Sequence, residues 1–85
     1  MFAVIAGTEM DAASVDQQQL EHMVSVVRES PGFVRGYWGR DAEDASKMHA
    51  VVFFKGREDA QSFAAGVMDN LTGATLSLLE ILTEA

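Results

Sequence analysis

The chain has 85 residues, 48% hydrophobic and 22% charged, which favours one small globular domain, residues 1–85, over disorder. It contains no cysteine, which excludes disulfides, thiolate metal sites and thiolate catalysis. Thirteen acids against six bases give a net charge of -7, so the basic stripe selected by nucleic acid or an anionic membrane is missing. No apolar run approaches the roughly 20 residues of a membrane span. No Lys or Arg precedes the apolar stretch Phe2–Ala6, so a secretory signal is not expected and a cytoplasmic location is.

In chain order, Phe2 to Thr8 is a nearly continuous apolar run, the mark of a strand buried on both faces. Ser14-Val15-Asp16-Gln17 matches a capping box. Leu20, Met23, Val24 and Val27 then recur at helical spacing, which predicts an amphipathic helix over about 14–29. Ser30-Pro31-Gly32 stops it, because Pro disfavours a helical residue before it and Gly permits a turn. Phe33 to Arg40 reads as a strand, with two internal glycines that suggest a bulge or a close backbone approach. An acidic turn, Asp41 to Ser46, leads into Lys47 to Phe54, so these strands form a hairpin. Glu58 to Met68 is a second helix, with Ala60, Phe63, Ala64 and Val67 as its buried stripe. Gly66 inside it costs about 1 kcal/mol against Ala, which asks for a reason in packing or function. Thr75 to Leu82 closes the chain as a strand, with a short helix as the alternative.

The order β-α-β-β-α-β is that of a ferredoxin-like α+β fold: a four-stranded antiparallel sheet with two helices on one face. The uncovered face should then be polar if it meets water. It is not. Val4 and Ile5 point to opposite faces, as do Val51 and Phe53 against Val52 and Phe54, and Leu76 and Leu78 against Leu79 and Ile81. Two such faces predict a homodimer, sheet against sheet.

Pro31-Gly32-Phe33 opening a strand, the apolar strand Ala50–Phe54, and Lys55-Gly56-Arg57-Glu58-Asp59-Ala60 with Phe63 beyond resemble the antibiotic-biosynthesis-monooxygenase-like (ABM) family. The resemblance runs from Phe2 to the end of the second helix and rests on fold signals. It implies two protomers forming a dimeric α/β barrel, with a small ligand held between sheet and helices. Some members oxygenate aromatic polyketides or quinols without metal or organic cofactor; others degrade haem. The haem-degrading branch uses an Asn on the first strand, a Trp on the second helix and a His ten residues later. None of the three is here: the single Trp is Trp38, on the second strand, and no His follows His49. No metal or cofactor is expected.

Two histidines are candidate general bases for deprotonating a phenol or quinol, His49 in the third strand and His22 on the first helix. Each is also explained by an interface or surface position. Tyr37 and Trp38 are adjacent on a strand, so one faces the helices and the other the open face. Either can stack on a flat ligand. Arg35 shares a face with Tyr37, and Arg40 with Trp38, where each can bind an anionic group or pair with the acidic turn. Glu80 is an acid in an apolar stretch, and a sheet edge open to solvent suits it. Three classes of function stay open: a cofactor-independent monooxygenase, a non-catalytic module that binds a small hydrophobic or aromatic molecule, and a structural dimer.

Overall fold

A computed structural model describes residues 1–9, 17–70 and 74–85. The elements are β1 (Phe2–Glu9), α1 (Gln17–Arg28), β2 (Phe33–Arg40), β3 (Lys47–Phe54), α2 (Arg57–Asn70) and β4 (Thr75–Glu80). The Ser14 end of the expected capping box lies outside the described residues. The last segment is a strand, so the short-helix alternative falls. No helix among the described residues is long and apolar enough to cross a membrane.

The four strands form one sheet in the order β2-β3-β1-β4, every neighbouring pair antiparallel. β1 and β3 sit in the middle, and for that reason both read as apolar on both parities. α1 carries the chain from β1 over to β2, and α2 carries it from β3 over to β4. Both helices lie on the same face, as the ferredoxin-like order demands.

Local chemistry sets the corners. The last turn of α1 tightens through Glu29 N–H to the Val26 carbonyl and Ser30 N–H to the Val27 carbonyl. Phe33 N–H then closes on the Ser30 carbonyl at 3.2 Å. Pro31 and Gly32 occupy the middle of this turn, and Gly32 has a φ of 76°, which costs a glycine nothing. Lys55 N–H binds the Gly32 carbonyl at 2.9 Å and ties the turn to the end of β3.

The core sits under α2. Val4, Val52, Phe54, Val27 and Ala60 are buried, and Phe33, Phe63 and Leu76 pack around them. Phe54 is its centre, 0% exposed, with the Phe63 ring at 5.1 Å and the Phe33 ring edge-on at 6.4 Å. α2 covers β1, β3 and β4, whereas the main sheet contact of α1 is with the edge strand β2.

The other face carries Ile5, Val51, Phe53, Tyr37 and Leu79; no described helix lies over it, and the C-terminal segment reaches its rim, where Glu84 pairs with Arg35. Tyr37 is 62% exposed and Leu79 48%. Apolar residues thus occupy both faces, as the alternation predicted.

One irregularity decides which aromatic faces where. The pairing of β2 with β3 shifts between Phe33 and Arg35, so Val34 is an extra residue. The bulge is at Val34 and not at a glycine. It moves Trp38 onto the face of Phe33 and leaves Arg35 and Tyr37 on the open face.

Candidate functional site

On the helix-facing side, cross-strand pairing sets four residues in a row: Trp38, Ala50, Ala6 and Leu76. The two on the central strands are alanines. Their short side chains leave the sheet floor low where Val4 and Val52 fill it one step along. Above them α1 stands over the edge strand rather than over the centre. The result is a cavity of about 680 Å³ between sheet and helices. Its floor is Ala6, Ala50 and Trp38; Leu20, Met23 and Val27 of α1 and Phe63, Gly66 and Val67 of α2 enclose it.

Trp38 is set by Gly36. Both face the helices, and a Cβ at Gly36 would stand 2.5 Å from Trp38 Cη2. The indole therefore lies flat over a bare stretch of its own strand and forms one wall of the cavity. A second hollow of about 350 Å³ lies beside Trp38 and α1, with Glu21 and Arg28 at its rim. It has half the volume and charged walls, which makes it the weaker place for an apolar ligand.

His49 borders the cavity through its place in β3, between Met48 and Ala50, but its ring lies on the open face. Its partners across the sheet are Gly7 and Gly39. Nδ1 stands 3.3 Å from where a Gly7 Cβ would be, and Nε2 is 2.7 Å from Asp41 Oδ2. Asp41 is itself oriented, because Oδ1 accepts the backbone N–H groups of Glu43 at 2.8 Å and Asp44 at 3.0 Å. The hydrogen bond from His49, then those two N–H groups, pull the Asp41 carboxyl down to about 2. Ser46 likewise holds the Asp44 carboxyl below its usual range.

This pair gives a pH prediction. A depressed carboxyl stabilises the fold above its unfolded pKa and loses that contribution as pH falls through its folded value. The contribution of Asp41 is therefore constant at neutral pH and vanishes between about 4 and about 2. In His49→Ala the Asp41 carboxyl should titrate closer to 4 while staying below it, because the two backbone N–H groups remain. A carboxyl-carbon NMR titration reads both values.

The other expected residues spread over both faces. Tyr37 and Arg35 lie on the open face with Phe53, the Tyr37 ring edge-on at 6.3 Å and the Arg35 guanidinium 4.9 Å above it. Arg35 also pairs with Glu84 at 3.0 Å. Arg40 has the helix-side parity of Trp38 and is exposed at the strand end. His22 is exposed on α1, its carbonyl accepting Ser25 Oγ at 2.8 Å. Glu80 is exposed on the edge strand, 3.6 Å from Arg57. The structure brings Arg35, Tyr37, His49 and Asp41 onto one face and Trp38 alone into the cavity. The alanines and Gly66 were not singled out as site residues. Their signal was present: two small residues at the helix-facing parity of two otherwise bulky strands.

No family model and no curated protein matches the chain. Solved structures do. A heme-degrading protein of Mycobacterium tuberculosis, in its heme-free form, superposes with a TM-score of 0.75 at 22% identity, over 99% of this chain and 93% of that one. SnoaB, a cofactor-independent oxygenase of Streptomyces nogalater, gives 0.72 at 13% identity, over 98% and 94%. A putative antibiotic biosynthesis monooxygenase of Deinococcus radiodurans gives 0.69 at 14% identity, over 100% and 95%. The chain has the ABM-like fold. Each of these matches spans the sheet and both helices of this chain.

Proposed function

We propose that the protein is a homodimer in which each protomer binds one neutral, apolar or aromatic small molecule in its cavity. The lining carries the proposal. Apart from His49, whose ring is on the other face, no described residue around the cavity titrates. A charged ligand would lose its water and find no partner. A flat neutral ligand would lie on Ala6 and Ala50 against the Trp38 ring, with Met23, Met48 and Phe63 adapting around it.

The size of the effect is modest. An aromatic molecule burying roughly 200 Å² gains about 5 kcal/mol before the costs of association. Dissociation constants of about 0.2 mM or weaker are expected. N-Phenyl-1-naphthylamine, a neutral dye that brightens in apolar surroundings, should bind at one per chain. Ala50→Phe raises the floor and should abolish that binding with the fold intact. Unchanged binding in Ala50→Phe would remove the cavity as the site.

The dimer has its own support. Ile5, Phe53, Tyr37 and Leu79 make a contiguous apolar surface of the kind soluble monomers rarely expose. A second copy, sheet against sheet, covers it on both partners at once.

Cofactor-independent oxygenation is the second reading, favoured by the Asp41–His49 pair. A carboxylate that fixes an imidazole's tautomer and angle is the arrangement of a general base. Its ring sits on the face that the dimer would close, so the substrate would have to lie there and not in the cavity. One neighbour binds heme and another oxygenates without cofactor, so the fold admits such chemistry. Dioxygen uptake with a panel of quinols, lost in His49→Ala and kept in His22→Ala, would establish it.

A further inference from the structure

We infer that Gly66 sets the upper size of the molecule the cavity accepts. The inference rests on the cavity as the binding site and goes beyond it by naming what limits the ligand. A glycine inside a helix costs about 1 kcal/mol against alanine, so its presence asks for a cause. Three causes are available, and two are absent.

The first is conformation. Gly66 lies well inside α2, and among the described residues Gly32 alone has a positive φ. Any residue can adopt the Gly66 backbone. The second is crowding. A Cβ built at Gly66 meets no heavy atom within 4 Å, in contrast to Gly36, where the Trp38 ring fills that place. The protomer's own packing therefore does not require a glycine.

The third is the space itself. Ser62 and Phe63, one turn earlier on α2, line the cavity with Gly66, and so does Val67. These residues share one helix stripe. Gly66 is exposed where it borders the cavity, so a side chain at 66 would stand at the cavity's mouth on α2 and narrow the entrance to the space over Ala6 and Ala50. Two short side chains in the floor, and none at position 66 on the rim, thus leave the cavity open. The helix position is the one that can change without touching the sheet. A larger residue there would shrink the accepted ligand and leave the fold unstrained, because its Cβ meets no protein atom within 4 Å.

Fluorescence titration with naphthalene and with the larger N-phenyl-1-naphthylamine tests this in the wild type, Gly66→Ala, Gly66→Leu and Gly66→Phe. The expected result is graded. Gly66→Leu and Gly66→Phe bind the larger dye weaker by about tenfold or more, and naphthalene within about threefold of wild type. Gly66→Ala raises Tm by roughly 4–8 °C, because it restores helix propensity without a clash. Equal affinity for the larger dye in all four proteins would overturn the role of Gly66 while leaving the cavity as the site. A lowered Tm in Gly66→Ala would also overturn it, since the space would then not be empty. If the wild type binds neither molecule, the cavity reading fails first.

Discussion

Replacing Phe54 with alanine is expected to remove about 3–5 kcal/mol of stability. The reason is its position. The side chain is 0% exposed and is held between the Phe33 and Phe63 rings and against Val4 and Val52. Truncation loses the transfer energy of a whole ring and leaves a void that β3, in the middle of the sheet, cannot close by shifting. Domains of this size have total stabilities near the low end of roughly 5–15 kcal/mol. Phe54→Ala should therefore be partly unfolded at 37 °C, where Phe53→Ala, on the open face, leaves the protomer core intact. Urea unfolding followed by circular dichroism reads the difference as a shift in midpoint at constant slope.

The second large effect is on association. Ile5→Glu puts a carboxylate at the centre of the open face, between Val51 and Ser77 on the neighbouring strands. Ile5 is 37% exposed in the protomer, so the protomer tolerates the change. In a twofold dimer the substitution occurs twice, and both carboxylates lose water without a partner. Each such burial costs several kcal/mol, so the dimer should weaken by about a thousandfold or more. Sedimentation at micromolar concentration should give a dimer for the wild type and a monomer for Ile5→Glu. A wild type that sediments as a monomer would remove the proposed assembly.

Much of the fold was legible because single residues carried the information. Lys47 to Phe54 is apolar on both parities, and that pattern belongs to a central strand. Pro31 and Gly32 mark a turn that only their backbone preferences explain. The alternation of Val4 with Ile5 and of Val52 with Phe53 puts apolar residues on both faces of the sheet. The face of each aromatic was not legible. Strict alternation from Phe33 would send Arg35 and Tyr37 to the helices and Trp38 away from them. The extra residue at Val34 reverses this, and neither glycine of β2 marks its place.

The cavity was hidden for a different reason. A void is made by what is missing, and alanine gives no pattern of its own. Ala6 and Ala50 become a floor only when the register sets them side by side. The same register separates His49 from the helix side and gives it Asp41 instead, a partner eight residues away across a turn. The family resemblance reached the fold through strand and turn signals, which are the features that whole-domain superposition detects.

The most direct test of the account is to find where a neutral aromatic molecule touches the protein. Amide and indole chemical shifts of labelled protein, recorded while N-phenyl-1-naphthylamine is added, answer it in one titration. Changes are expected at Ala6, Ala50, Phe63, Gly66 and the Trp38 indole N–H, with Arg35, Phe53 and Leu79 unmoved. Changes confined to Arg35, Phe53 and Leu79, or no changes at all, would contradict ligand binding in the cavity.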